Sequence, residues 1–104
     1  MEFLVEFEGG PPAGTPHEEV DRRERAESDA AAKLSEDGHL VRLWRRPLVG
    51  DGSTAVGLFR ADSDAQLDGL LADLPLAAWL RTTVTPLGAH PHDPTSRIRG
   101  GLTR

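Results

Sequence analysis

The segment Gly38-His39-Leu40-Val41-Arg42-Leu43-Trp44-Arg45-Arg46 predicts the end of a helix followed by a strand with two different faces. Gly38 is typical of the left-handed residue that ends a helix. Because successive side chains of a strand point to opposite faces, Val41 and Leu43 share one face. The same face carries His39 and Arg45. The opposite face carries three cationic or aromatic side chains: Arg42, Trp44 and Arg46. One side of this strand is therefore suited to burial, and the other presents an indole among guanidinium groups.

Three interpretations fit the cationic face of this strand. Its arginines can simply meet water. A face that combines an indole with arginines also suits a planar anionic ligand, since a guanidinium binds a carboxylate through two hydrogen bonds and an indole packs on flat apolar surface. An interface between subunits would use the same side chains.

The composition of the chain excludes several classes of protein. The chain has 104 residues, no cysteine and a formal net charge of −5. A single domain of this size often associates to bury more surface. Nucleic-acid binding is not expected, because it needs a clustered basic face and the acidic residues here are spread along the chain. Without cysteine there is no disulfide framework, thiolate metal site or thiol nucleophile.

The sequence also lacks the features of a targeting or membrane-spanning segment. The first residues, Met1-Glu2-Phe3-Leu4-Val5, have neither the basic region nor the long apolar run of a signal peptide. No stretch approaches the roughly 18 apolar residues of a transmembrane helix. We therefore expect a cytoplasmic protein without a membrane partner.

Hydrophobic periodicity predicts four strands and two helices. Residues 2–8 alternate between an apolar and a polar face, as in a half-buried strand. Thr15 is the predicted N-cap of a charged helix that runs to about Asp37. Residues 53–60 complete a hairpin with the central strand, and residues 82–87 form the last strand. Ser63 caps a second helix with a core stripe of leucines: Leu67, Leu70, Leu71 and Leu74.

This order, β-α-β-β-α-β, predicts an α+β fold of the ferredoxin-like type, a sandwich in which both helices cover one face of an antiparallel sheet. The opposite face is left open, and a partner subunit normally covers such a face. The side chains expected on it include Leu4, Glu6, Arg42 and Trp44. We expect residues 1–94 to form the domain and residues 95–104 to form a flexible C-terminal tail.

Two glutamates fall within the weak apolar stripe of the first helix, Glu24 and Glu27. The surrounding arginines and acids offer many ion pairs at helical spacing, so a surface or interface salt bridge explains either glutamate. A carboxylate held against a partly dry face can instead act as a general base. The residues alone leave both interpretations open.

The segment His90-Pro91-His92-Asp93 contains three potential metal ligands in four residues. It is an extended, proline-containing segment without a second ligand cluster, and His17 and His39 have no helical or hairpin spacing to it. We expect a polar tail and no metal site. The pair Gly9-Gly10 is followed by prolines, which lack the donors of a phosphate-binding loop.

Several of these features together resemble the muconolactone delta-isomerase family of aromatic catabolism, whose members act in the β-ketoadipate route. The resemblance spans most of residues 2–94 and rests on four groups of residues: Glu27; Gly38 with Leu43-Trp44-Arg45; Leu70-Leu71-Ala72-Asp73-Leu74-Pro75-Leu76 with Trp79; and Thr85-Pro86-Leu87 before His90-Pro91. It implies a ferredoxin-like subunit of the dimeric α/β-barrel type, which dimerises through its sheets and assembles into a larger ring such as a decamer. It also implies that no metal or organic cofactor is needed.

The reaction implied by the resemblance is a 1,3-proton shift that converts muconolactone into β-ketoadipate enol-lactone. Such a reaction needs a base, donors for the dienolate oxygen and a cation for the substrate carboxylate. By analogy Glu27 is the base, Arg45 the partner of the carboxylate or enolate, Trp44 the wall of the pocket and His90 a donor or acid. Arg42 stands where some members have histidine, and we expect it to assist Arg45 in binding the small anionic lactone.

The chain departs from the family pattern near the expected mouth of the pocket. The hairpin over residues 47–53 is longer than in catabolic members, and Ala55 stands where asparagine is often found. These differences keep open a related isomerase or cyclase that acts on a natural-product intermediate. A third alternative is a non-catalytic oligomeric binding protein, in which the open sheet face serves only as an interface.

Overall fold

The chain folds into a four-stranded sheet covered on one face by two helices. The structure is a computed structural model and describes residues 1–46 and 53–95. The elements are β1 (Glu2–Gly9), α1 (His17–Glu36), β2 (Leu40–Arg45), β3 (Ser53–Arg60), α2 (Asp64–Ala72) and β4 (Leu80–Leu87), with a 3-10 turn at Ala77–Trp79. The strands are antiparallel in the order β2-β3-β1-β4. This arrangement confirms the predicted α+β, ferredoxin-like fold.

The core lies between the helices and the inner face of the central strand β1. Phe3 and Val5 are fully buried and Phe7 is 8% exposed, because alternate residues of β1 point toward the helices. Burying a side chain of this kind contributes about 1.5–3 kcal/mol. The rest of the buried cluster comes from both helices and from β3 and its end: Leu34, Phe59, Ala61, Leu67 and Leu71.

The helix ends agree with the sequence at two of three predicted positions. Gly38 has φ of +83° and ends α1, where the His39 N–H donates to the Leu34 carbonyl at 2.8 Å. Ser63 caps α2, since its Oγ accepts a hydrogen bond from the Gln66 N–H at 3.0 Å. The N-cap prediction for Thr15 is wrong. Its hydroxyl donates to the Pro12 carbonyl, so it closes a turn, and α1 starts two residues later without a side-chain cap.

A β-bulge in β2 changes which side chains face the helices. Leu40 lies opposite Phe59 and Arg42 opposite Leu58, so Val41 is the extra residue. Leu40 packs against the core, whereas Val41 is 39% exposed. The prediction that Val41 faces the core is therefore wrong, because strict alternation assumes a strand without an extra residue.

The face of the sheet away from the helices is uncovered in the protomer. Among residues 1–46 and 53–95, three ion pairs cross this face, and each takes its carboxylate from β1. They are Glu2–Arg60 at 2.9 Å, Glu6–Arg46 at 3.1 Å and Glu8–Arg81 at 3.1 Å. Trp44, opposite Val56, and Leu87, opposite Glu2, add large apolar surface and are 42% and 41% exposed. We call this surface the open face.

Some predicted features lie outside the described residues. They are the long hairpin turn at residues 47–52 and the tail from residue 96 onward. Within the described ranges, no helix has both the length and the apolar composition needed to cross a bilayer.

We expect Gly9→Ala to lower the free energy of unfolding by about 1–3 kcal/mol, because it forces a side chain into a strained left-handed conformation. Gly9 has φ of +127°, and an added Cβ would lie 2.6 Å from the Trp79 carbonyl oxygen. Urea unfolding followed by tryptophan fluorescence measures the change. Gly10→Ala is the matched control, since nothing lies within 4 Å of its added Cβ. Equal stability of the two variants would contradict the prediction.

Candidate functional site

A cavity of about 200 Å³ lies between α1, the sheet and the connection from α2 to β4 (residues 73–79), which we call the α2–β4 connection. Its walls are mostly apolar side chains: Phe7, Leu34, Phe59, Leu74, Leu76 and Leu80. Pockets for drug-sized ligands usually start at about 300 Å³. This cavity is therefore matched to a smaller molecule.

Glu27 brings a carboxylate to the wall of this cavity. It is half-buried on α1, and among the described lining residues it is the one ionisable side chain. Its Oε1 accepts a hydrogen bond from the Leu76 N–H at 3.0 Å. Among the described residues, Glu27 has this backbone hydrogen bond and no salt bridge. Glu24, by contrast, is exposed on the same helix.

Arg45 lies on the same side of the sheet as the cavity. It is opposite Ala55 in the β2–β3 ladder, and Ala55 lines the cavity. Residues directly opposite each other in a ladder share a face. The exposed Arg45 therefore lies on the cavity side of the sheet. Leu43, two residues earlier on the same face of β2, lines the cavity.

Trp44 and Arg42 lie on the open face, on the other side of the sheet from Glu27. They are opposite Val56 and Leu58, and the Arg42 guanidinium carbon lies 5.0 Å from the centre of the indole. This placement agrees with the alternation of β2, which predicted both side chains on the open face. Within one protomer the structure thus brings Glu27 and Arg45 to the same side but does not bring Trp44 or Arg42 to them.

His90 lies beyond the far end of β4. Leu80, which lines the cavity, pairs with Gly9 at one end of β4, and Leu87 pairs with Glu2 at the other. Seven residue steps of about 3.3 Å separate these ends. His90 is exposed, and its Nδ1 accepts a hydrogen bond from the His92 N–H at 2.9 Å. It does not reach the cavity of its own protomer.

Arg23, for which the sequence pattern predicted no role, contacts the α2–β4 connection one helical turn before Glu27. Its Nη1 donates to the Pro75 carbonyl at 3.3 Å, and its guanidinium carbon lies 4.8 Å from the centre of the Trp79 ring. Its Nε is 3.5 Å from Glu19 Oε1. The sequence feature that points to Arg23 is its spacing of four residues from both Glu19 and Glu27, since residues at this spacing share one helix face.

Metal ligands do not cluster in the part of the chain that the structure describes. Over residues 1–46 and 53–95, no group of three or more histidine, aspartate or glutamate side chains is placed to hold an ion. The expectation that no metal is used stays a prediction.

The family model described as muconolactone delta-isomerase matches residues 1–93 of this chain. The chain belongs to the muconolactone delta-isomerase family. Muconolactone Delta-isomerase 1 of Acinetobacter lwoffii is 36% identical over 94 residues, which cover 88% of this chain and 92% of that protein. Muconolactone Delta-isomerase of Cupriavidus pinatubonensis is 31% identical over 91 residues, covering 88% and 96%. These relatives of the muconolactone delta-isomerase family are enzymes.

The fold of the family agrees with the structure. The crystal structure of a muconolactone isomerase superposes with a TM-score of 0.78 at 23% identity, covering 90% of this chain and 95% of that one. At this identity the superposition shows the shared fold alone. The resemblance stated from the sequence is thereby confirmed at the level of family and fold.

Proposed function

We propose that this chain is a cofactor-independent isomerase that moves a C=C bond in a small unsaturated lactone by a 1,3-proton shift. The reaction we propose is muconolactone to β-ketoadipate enol-lactone. The observation that carries the proposal is the Glu27 carboxylate on the wall of a small, mostly apolar cavity. Membership of the family and the names of the two relatives support the choice of reaction.

In this proposal the Glu27 carboxylate carries the proton. The lactone ring fills the apolar cavity, and the free oxygen of Glu27, Oε2, takes a proton from the γ-carbon. The electrons of that C–H bond form a dienolate, and the same proton is returned to the α-carbon, which leaves the double bond between the β- and γ-carbons. The base is regenerated and no other reactant is consumed. The apolar walls exclude water, which would otherwise exchange the carried proton.

Arg45 is the cation that we assign to the substrate carboxylate or to the dienolate oxygen. It lies on the cavity side of the sheet, and its fixed positive charge suits either oxygen group. Arg42, Trp44 and His90 remain predicted site residues. Because they lie away from the cavity of their own protomer, we propose that they contribute only through contact with another subunit.

Association of subunits follows from the open face in this proposal. Two copies of the open face would bury Trp44 and Leu87, which are otherwise exposed large apolar side chains. The homo-oligomer we propose is built from such dimers, and a ring such as a decamer is the larger assembly that the family suggests.

One observation favours the second candidate, an isomerase or cyclase that acts on a natural-product intermediate. Ala55 lines the cavity at a position where asparagine is often found in the family. A methyl group there supplies no hydrogen-bond donor, so this cavity favours a substrate that presents a less polar edge to β3. Turnover of a panel of unsaturated lactones and cyclic ketones, with muconolactone included, separates the two candidates.

We expect Glu27→Gln to lower the rate of muconolactone isomerisation at least about 100-fold, because an amide cannot accept the proton that a general base carries. The amide oxygen can still accept the Leu76 N–H, so the fold is retained. The loss of the conjugated lactone, followed by ultraviolet absorbance, measures the rate. Glu24→Gln is the control, since Glu24 is exposed on the same helix. Normal turnover by Glu27→Gln would remove the base assignment.

We expect Arg45→Gln to raise KM about tenfold, because it removes a charge-assisted hydrogen bond to the substrate carboxylate. Arg42→Gln, on the open face, should change KM less when both variants have the same oligomeric state. Steady-state kinetics with muconolactone measures both values. A larger effect at Arg42 than at Arg45 would show that the substrate carboxylate is bound from the open face.

We expect Trp44→Glu to break the proposed dimer, since it replaces a large apolar side chain of the open face with a charge that the contact between two sheets would bury. Size-exclusion chromatography with light scattering measures the mass of the particle. Arg25→Glu on the exposed side of α1 is the control. A Trp44→Glu protein with the mass of the unchanged protein would exclude pairing through the open face.

A further inference from the structure

The structure connects Arg23 and Glu27 through a single peptide group. The carbonyl oxygen of Pro75 and the N–H of Leu76 belong to the same peptide unit. The carbonyl accepts a hydrogen bond from Arg23 Nη1 at 3.3 Å, and the N–H donates to Glu27 Oε1 at 3.0 Å. The two side chains are one helical turn apart on α1 and meet the opposite ends of this one group.

The charges are arranged so that each end of the peptide dipole meets its favourable partner. The negative end, the carbonyl oxygen, faces the guanidinium, and the positive end, the N–H, faces the carboxylate. A hydrogen bond accepted at the carbonyl polarises the peptide and strengthens its N–H as a donor. The contacts of Arg23 and Glu27 with this peptide therefore support each other.

Arg23 is itself held by contacts on two other sides. Glu19 lies within 3.5 Å of its Nε, and the Trp79 ring lies under the guanidinium at 4.8 Å. Trp79 in turn precedes Leu80, the first residue of β4 and part of the cavity wall. Arg23 thus fixes the orientation of the Pro75–Leu76 peptide relative to both α1 and the sheet.

We propose that Arg23 is a positioning residue that holds the Glu27 carboxylate in the cavity through the Pro75–Leu76 peptide. This inference rests on the proposed role of Glu27 as the base. With Oε1 bound to the Leu76 N–H, the carboxylate has one orientation, and Oε2 is the oxygen left for the proton. Without Arg23 the peptide can rotate, the N–H leaves Oε1, and the carboxylate samples several orientations. Loss of orientation lowers the rate of the chemical step more than it weakens binding of the substrate.

The amide signal of Leu76 tests the connection without any substrate. We compare ¹H–¹⁵N TROSY spectra of the full-length protein with those of Arg23→Gln, Glu27→Gln and the double variant. We expect the Leu76 amide proton to move upfield in both single variants, and the shift in the double variant to be smaller than their sum. Arg25→Gln, exposed on the same helix, is the control. A Leu76 shift in Arg23→Gln no larger than in Arg25→Gln, or simple additivity, would overturn the proposal.

Kinetics test the consequence for the reaction. We expect Arg23→Gln to lower kcat about tenfold, with KM within twofold of the unchanged protein. We expect Arg23→Lys to recover part of kcat, because it keeps the positive charge but has one donor group in place of the several of a guanidinium. If Arg23→Gln fails to fold, Arg23→Lys carries the comparison, with a loss of kcat smaller than tenfold. A loss confined to KM, or an unchanged kcat, would overturn the positioning role.

The outcomes for Arg23 and for the proposed function are distinguishable. An inactive Glu27→Gln beside a fully active Arg23→Gln leaves the base in place and overturns the inference about Arg23. A fully active Glu27→Gln removes the base and with it the catalytic part of the inference.

Discussion

The structure depends on one constraint, the strict alternation of β1 between two neighbouring strands. β1 is hydrogen-bonded to β3 on one side and to β4 on the other, so its side chains occupy the middle of both faces. Phe3, Val5 and Phe7 build the core, and Leu4 and the glutamates of β1 lie on the open face. The cavity exists at one end of this strand because Phe7 is opposite the small side chain of Ala55. The next residue on this face of β3 is Gly57, and a larger residue there would clash, since an added Cβ would lie 2.7 Å from the Phe59 ring.

The parts of the molecule that depend on periodicity could be predicted from the sequence. The alternation of β1, the leucine stripe of α2, the stop at Gly38 and the cap at Ser63 follow from local rules, and together they define the order of elements. The bulge at Val41 could not be predicted, because the choice between Leu40 and Val41 as the buried residue depends on how β2 meets Phe59 across the ladder. That one extra residue decides whether Leu40 or Val41 faces the core, whereas Arg42 and Trp44 lie on the open face that simple alternation predicted.

The candidate site was predictable only in part for a similar reason. The apolar stripe of α1 marked Glu24 and Glu27 alike, and the family resemblance distinguished Glu27, which lies on the cavity wall. Its partner is a backbone N–H from a segment 49 residues later, which leaves no mark in the identity of any side chain. The convergence of Arg23, Pro75 and Trp79 likewise depends on the path of the α2–β4 connection. Contacts of this kind are set by tertiary packing, so residue types and spacing do not reveal them.

The ion pairs of the open face bear on how the proposed dimer would behave in solution. The described side chains of that face include three glutamates and four arginines: Glu2, Glu6, Glu8, Arg42, Arg46, Arg60 and Arg81. Its charges nearly balance, although the whole chain has a net charge of −5. The excess of acid therefore lies elsewhere, on α1 and above all on α2 and its ends, where four aspartates have no Lys or Arg among them: Asp62, Asp64, Asp68 and Asp73. In the proposed dimer, two copies would bring their sheets together with little electrostatic repulsion, even at low ionic strength. The acidic outer helices would give each dimer a net negative charge, and the repulsion between dimers would keep the dimers apart.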